Sequence, residues 1–221
     1  WSPLTYEVDS VEYCNERPIA TQQTAFSFVA QMRSWLPDEI GGILWFGIDD
    51  AAQTVYYPFY SGHNIVPHEM AAGNGDLHNF SWTSAFWIHN WVSNMVYTRY
   101  SDMSEDMKKV QSKLESTFAS QQPQIEEKAL ALHKQSSEEA VKYLNAYTNT
   151  LVEEGMAEWK KLGEYLMVKY VDGVIKPEVN GEFKKNQYGQ PANPIRPGYS
   201  NEYYQKIIDQ TGDKYKVIPV E

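Results

Sequence analysis

The sequence predicts an α+β protein, with antiparallel strands over residues 1–60 followed by a mostly helical C-terminal region. Three observations carry this. Residues 19–32 alternate apolar and polar, the period of a half-buried strand. From Trp82 onward the apolar spacing becomes helical. The links between successive strands are short, which suits antiparallel pairing, because parallel strands need long crossovers.

The elements follow in order. In the first strand, Ile19 to Met32, alternation places Phe26, Phe28, Ala30 and Met32 on one face and Thr21, Gln23, Ser27 and Gln31 on the other. The turn Leu36-Pro37-Asp38-Glu39 and the pair Gly41-Gly42 lead into Ile43-Leu44-Trp45-Phe46-Gly47-Ile48. That run is apolar without alternation, as in a central strand covered on both faces. A third strand, Thr54 to Tyr57, is expected to stop at Pro58, which lacks an N–H for the ladder. Residues 61–81 read as a loop, holding Gly62, Pro67, Gly73, Gly75 and three histidines; structureless segments of this length are often functional.

The helical region spans residues 82–173. Trp82, Phe86, His89, Val92, Val96 and Tyr100 form one stripe of a helix apolar nearly all round, and therefore buried. Ser104 is expected to cap a second helix, with Glu105 and Asp106 in its first turn and Met107, Val110, Leu114 and Phe118 as its stripe. Pro123 is expected to restart the chain in a third, carrying Ile125, Ala129 and Leu132. Ser136 or Ser137 caps the longest helix, whose stripe runs Ala140, Leu144, Tyr147, Leu151, Gly155, Trp159, Leu162 and Leu166. At ~1.5 Å per residue it reaches ~50 Å and crosses a whole face of the domain. Residues 174–221 form a Pro- and Gly-rich arm with a last short helix capped by Ser200 and ended at Gly212.

Composition excludes several functions. The chain has 221 residues, with 29 acidic against 19 basic, a net charge of −10. Nucleic-acid and anionic membrane partners are disfavoured, since both need clustered Lys and Arg. No apolar run approaches the ~18 residues of a membrane span. The chain opens Trp1-Ser2-Pro3-Leu4 without an initiator Met or a signal peptide, and so reads as a processed product or part of a longer polypeptide.

Candidate chemistry is sparse. His63, His68 and His78 share one loop with Glu69 and Asp76, donors that suit zinc, but their spacing matches no metal signature. Solvent-facing and turn-capping roles are therefore preferred. His89 reads as a hydrogen-bonded core residue. Gly73-Asn74-Gly75-Asp76 could cradle an anion, although a tight turn is the better reading. Of the 7 Trp, Trp45, Trp82, Trp91 and Trp159 fall on core stripes, which leaves less for stacking on sugars. The one Cys, Cys14, has only Arg17 nearby to lower its pKa and reads as inert.

Four blocks, in this order, resemble the secreted-dipeptidase family of cysteine peptidases. They are Arg33-Ser34-Trp35-Leu36-Pro37-Asp38-Glu39-Ile40-Gly41-Gly42-Ile43-Leu44-Trp45-Phe46-Gly47-Ile48-Asp49-Asp50-Ala51, Tyr57-Pro58-Phe59-Tyr60-Ser61-Gly62, the segment from Ser84-Ala85-Phe86-Trp87-Ile88 to Tyr97-Thr98-Arg99-Tyr100-Ser101-Asp102, and Trp159-Lys160-Lys161-Leu162-Gly163-Glu164-Tyr165-Leu166. The resemblance covers roughly residues 17–217 and lies with the C-terminal part of the family. It implies an N-terminal-nucleophile hydrolase with an α-β-β-α sandwich, of which this chain supplies the late strands. It also implies metal-free and cofactor-free hydrolysis of dipeptides by an N-terminal Cys whose own amine is the base.

Residue 1 is Trp, so that Cys and the first half of the sandwich are expected upstream, as the N-terminal catalytic part of the same polypeptide. No catalytic residue carries over, and this chain alone is expected to be inactive. Thr24, Arg33 and Trp45, on or near late strands, are the candidate substrate-binding residues. Arg33 could bind a substrate carboxylate, or pair with Asp38 or Glu39 across the turn. An oligomer is compatible with all of this. The compartment stays open, with the periplasm or the exterior favoured over the cytoplasm. The competing readings are a non-catalytic interaction module and a carbohydrate-binding module.

Overall fold

The computed structural model describes residues 3–218. They form a mixed α and β fold in two compact units, one up to Leu166 and one from Met167.

The first unit opens with a hairpin, β1 (Thr5–Val8) and β2 (Val11–Cys14), in which Tyr6 pairs with Tyr13 and their rings stack at 5.6 Å. Its turn residues Asp9 and Ser10 both have positive φ, 51° and 63°, the twist a two-residue hairpin needs. Every residue of both strands is exposed. The hairpin falls within the stretch of antiparallel strands expected over residues 1–60, where the first strand individually expected is Ile19 to Met32; β-formers flanking Asp9-Ser10 carry its signal.

Next comes a three-stranded antiparallel sheet in the order β3 (Phe26–Met32), β4 (Gly42–Ile48), β5 (Tyr57–Tyr60). A four-residue helix, α1 (Asp38–Gly41), turns the chain from β3 into β4. Strand β3 is shorter than expected because a turn intervenes, with the Thr24 N–H bonded to the Thr21 carbonyl at 3.0 Å. Strand β5 corrects the third expected strand: it starts at Tyr57 and contains Pro58. Proline is tolerated because β5 lies at the sheet edge, where no ladder donor is needed. The Pro58 carbonyl accepts from Thr148 Oγ1 at 2.7 Å.

Three helices follow: α2 (Ala85–Thr98), α3 (Tyr100–His133) and α4 (Ser137–Tyr170). Two expectations fail here. Ser104 does not cap a helix; it is buried inside α3, which starts just after Arg99, a residue outside helical geometry. Pro123 does not restart the chain, because α3 runs through it. The carbonyl that loses its partner belongs to Ala119, which is exposed, so water can take the place of the missing N–H. Leu114, Phe118 and Ala129 stay buried on either side of the proline. Ser136 caps α4 by accepting from the Glu139 N–H at 3.4 Å. The apolar stripe of α4 is buried from Ala140 to Leu166, apart from the partly buried Tyr147.

The helices cover one face of the sheet. Ile43, Trp45 and Tyr60 pack with Ile125 and Ala129 of α3 and Leu144 and Tyr147 of α4. On this face β3 presents Ser27, Val29 and Gln31: Ser27 bonds Tyr56 at 2.7 Å, Val29 is exposed, and Gln31 accepts from Trp45 Nε1 at 3.0 Å. The apolar row of β3 points the other way. Phe28 is 56% exposed, and Phe26, Ala30 and Met32 are exposed with it. Phe26 stacks on Phe46 at 5.5 Å, and Phe46 meets Phe59 edge-on, so all three strands share this outward apolar face. The central strand is therefore covered on one face, and Leu44 in its middle is exposed.

In the second unit, a small hairpin of β6 (Glu178–Val179) and β7 (Glu182–Phe183) precedes α5 (Asn201–Thr211). Lys169 pairs with Glu178 at 2.7 Å. Ser200 caps α5 through the Tyr203 N–H and Gly212 ends it, as the sequence predicts. No described helix is long and apolar enough to cross a membrane.

Candidate functional site

The site grows from the outward face of the sheet. Two hollows adjoin there and share Phe46 and Met70. One, of about 500 Å³, lies over Ala30, Met32, Leu44 and Phe59 beneath the segment from His63 to Met70. The other, of about 430 Å³, lies between Phe26, Phe46 and Ile48 of the sheet, the 69–77 loop, and the first turn of α2.

Hydrogen bonds shape the loop over the second hollow. Asn74 Nδ2 donates to the His68 and Thr83 carbonyls, and its Oδ1 accepts from Ser81 and Thr83. Asp76 accepts from the His78 and Asn79 N–H groups and the Asn79 amide, which hold its carboxyl below the usual range. Gly75 sits at φ +81° with Asn79, Trp87 and Ser81 close by, so a side chain there would be strained and crowded. Trp87 Nε1 donates to the Asp76 and Asn79 carbonyls, tying the loop to α2. The Gly73–Asp76 stretch is thus a turn, stabilised by its own side chains.

Helix α2 enters the site uncapped. Ser84, its N-cap residue, makes no side-chain capping bond, and the first turn holds no acidic residue. The amides of Ala85, Phe86 and Trp87 precede the first intrahelical donor, Ile88, which reaches the Ser84 carbonyl at 3.0 Å.

The histidines separate. His68 and His78 are exposed, whereas burial pulls the half-buried His63 imidazole down, edge-on to Phe59. Among the described residues no group of three or more His, Cys, Asp or Glu could hold a metal. His89 is a core residue: its Nδ1 bonds the Ala85 carbonyl at 2.8 Å, its ring stacks on Trp159, and burial pulls its pKa down to about 4. Trp159 is buried, but Trp82 is exposed, contrary to the core reading, and meets Phe80 and Trp91 edge-on. Cys14 is exposed on the hairpin.

The three candidate substrate residues stand apart. Thr24 and Arg33 flank β3 at opposite ends, nine residues or ~30 Å of extended chain from one another. The Thr24 hydroxyl accepts from the Thr21 N–H. Trp45 faces the helices. The partner of Arg33 is neither Asp38 nor Glu39. Its Nη1 meets both Glu126 oxygens at 2.6 Å, while Nη2 and Nε donate to the Ile40 and Gly41 carbonyls. None of the three lines either hollow. Sequence reasoning missed Glu126 because it lies 93 residues away.

Buried carboxylates at the end of β4 tie the sheet to α2. Asp49 accepts from Asn90 Nδ2 at 2.8 Å and Ser93 Oγ at 2.5 Å, and burial pushes its pKa up. Asp50 accepts from the Tyr97 hydroxyl at 2.6 Å. These bonds aim α2, and with it the first turn that faces the hollow.

No curated protein matches the sequence. The sequence model of peptidase family C69 matches residues 2–113, which include the hairpin, the whole sheet, the loop, α2 and the start of α3. The match takes in both hollows and covers half of the chain, so the chain belongs to peptidase family C69.

Proposed function

We propose that this chain is the C-terminal portion of a cysteine dipeptidase whose nucleophile is an N-terminal Cys carried on polypeptide upstream. One observation carries the reading: the outward face of the sheet is apolar across all three strands, with Phe26, Phe28, Ala30 and Met32 of β3, Leu44 and Phe46 of β4 and Phe59 of β5 on it. A sheet patterned this way suits a second layer on its outward face, as in a two-sheet sandwich. The family membership supports a peptidase, and the resemblance supports a dipeptidase of the N-terminal-nucleophile type.

In this reading the terminal amine takes the thiol proton as the sulfur attacks the dipeptide carbonyl. The C–N bond breaks, the leaving amine recovers the proton, and water hydrolyses the thioester. Cys14 is not that nucleophile, because it sits on an exposed strand and not at a chain terminus. The chain alone hydrolyses nothing. Thr24 and Trp45 support the sheet, and Arg33 holds the β3–β4 turn.

The test is hydrolysis of alanyl-alanine by the native protein, before and after alkylation with iodoacetamide. The expected result is activity that alkylation removes, with the label on a Cys outside this sequence and with Cys14→Ala without effect. Loss of activity in Cys14→Ala, or activity indifferent to alkylation, overturns the reading.

A further inference from the structure

Two exposed parts of this chain complement each other in charge and in surface. The first is the β1–β2 hairpin. Its cross-strand pairs Tyr6–Tyr13 and Val8–Val11 make one apolar face, and all four residues are exposed. A lone two-stranded hairpin is marginal in water and needs such a face covered. On the opposite face Glu7 stands directly across from Glu12, a like-charged pair that weakens the hairpin by itself. Asp9 sits in the turn, and the hairpin holds no basic residue. None of these three carboxylates makes an ion pair or a side-chain hydrogen bond among the described residues.

The second part, residues 174–200, has the reverse character. It holds four basic residues against two acidic, in a chain whose net charge is −10. Lys184, Lys185 and Arg196 are exposed and make no ion pair among the described residues. Backbone bonds give the segment its shape. Ile175 and Ile195 exchange N–H to carbonyl bonds at 2.9 and 2.8 Å, and the Lys184 N–H reaches the Pro177 carbonyl at 2.8 Å. Its aromatic residues are turned out, with Tyr188 77% and Tyr199 71% exposed. The stretch from Pro191 to Tyr199 carries three prolines, whose fixed φ lowers the entropy lost on docking. Aromatic surfaces are common receptors for such stretches, and the stacked Tyr6 and Tyr13 rings form one.

We propose that the hairpin of one copy of this chain docks on the 184–199 segment of a second copy. Both surfaces are exposed on a single chain, and each supplies what the other lacks. The tyrosine face meets the proline stretch. The backbones of a two-stranded ribbon lie only about 5 Å apart, so side chains on its far face stand at the rim of that contact. There Glu7, Asp9 and Glu12 face Lys184, Lys185 and Arg196. Opposite charges at a rim fix the register and exclude wrong partners. Because the contact joins unlike surfaces, each copy offers one of each. The proposal does not depend on the dipeptidase reading.

Cys14, the one thiol of the chain, lies on β2 and reports the contact. The full chain is mixed with a variant carrying Cys14→Ala and Tyr188→Cys, and the mixture is treated with a short bismaleimide. Each chain then has one thiol, so a link between Cys14 and position 188 joins two copies. Peptide mass spectrometry is expected to find this link, in a yield that falls as salt is added. Glu7→Lys with Glu12→Lys in the first chain should lower the yield at least tenfold. Adding Lys184→Glu and Lys185→Glu to the second chain should restore most of it. All four positions are exposed, so the circular dichroism spectra should not change.

Absence of the link overturns the proposal. So does a yield indifferent to the charge reversal, which marks association through some other surface, or a charge exchange that fails to restore the yield. In a chain carrying Tyr188→Cys and retaining Cys14, a link that persists within single chains at high dilution places the contact inside one copy and overturns it as well.

Discussion

Gly163 on α4 lies against the indole of Trp91 on α2, so closely that a Cβ at Gly163 would overlap the six-membered ring. Gly155, two turns earlier, makes the same allowance for Tyr57 of β5. These two notches let the longest helix approach both the sheet and α2. A glycine inside a helix ordinarily costs about 1 kcal/mol relative to alanine. Here the missing side chain is what the packing requires.

Gly163→Ala should therefore destabilise the protein, although the substitution favours an isolated helix. Overpacking costs of about 1–3 kcal/mol exceed the gain in propensity. Urea unfolding should show a lower midpoint with an unchanged slope. A raised midpoint would mean that the indole moves aside freely.

The Arg33–Glu126 pair joins the β3–β4 turn to the C-terminal part of α3, with the two side chains 10% and 12% exposed. Breaking such a pair on one side leaves a largely buried charge, at about 3 kcal/mol. Glu126→Gln should lose about that much. The double variant Arg33→Met with Glu126→Leu should lose clearly less than the sum of the single changes. Additive losses in the cycle would remove the pair from the account.

His89 makes stability depend on pH. Burial holds its folded pKa at about 4, below the ordinary 6.5 of the unfolded chain. Between these values the unfolded state binds more protons, so stability falls as the pH drops from 6.5 towards 4. The loss between pH 7 and 5 is about 2 kcal/mol. Asp49, whose pKa is raised by burial, acts in the opposite sense as acid is added and partly offsets it at the low end. His89→Phe keeps a flat ring on Trp159 and should flatten the profile between pH 5 and 7. An unchanged profile in that variant would place the titrating group elsewhere.

The outward face of the sheet should reveal itself when this chain is studied alone. Phe28→Gln should change stability by no more than about 0.5 kcal/mol, because the ring touches little on this chain. It should also lower the fluorescence of 8-anilinonaphthalene-1-sulfonate bound to the protein. A loss of several kcal/mol would mean that Phe28 belongs to a core.

Periodicity made much of this architecture legible. The α4 stripe, the centre of β4 and the ends of α5 follow from spacing, Ser136, Ser200 and Gly212. The failures have local causes. Pro123 and Pro58 read as breaks in the sequence, but each lies where its missing N–H is tolerated, at an exposed turn of α3 and on an edge strand. The β1–β2 hairpin buries nothing on this chain, and a reading that looks for half-buried faces passes over it. Alternation in β3 separates Phe26, Phe28, Ala30 and Met32 from Ser27 and Gln31, although Val29 shares the latter face, and it does not say which face the helices cover.

The candidate site was less legible. Thr24, Arg33 and Trp45 lie on or beside the strands, where residues are far apart along an extended chain. The hollow is built by the 69–81 loop against α2, through bonds such as Trp87 to the Asp76 carbonyl that no linear spacing announces. The loop did stand out by its length. The free hydroxyl of Ser84 could not, because a serine before a helix reads as a cap.

The central claim is that the outward face of β3, β4 and β5 is covered by a second layer in the working enzyme. The most direct measurement is the alkylation rate of a thiol at position 28, introduced as Phe28→Cys, in the native enzyme and in this chain alone, with Cys14 replaced by Ala in both. The account predicts labelling of the lone chain at the rate of an exposed thiol and protection by at least tenfold in the native enzyme. Equal rates in the two would contradict it.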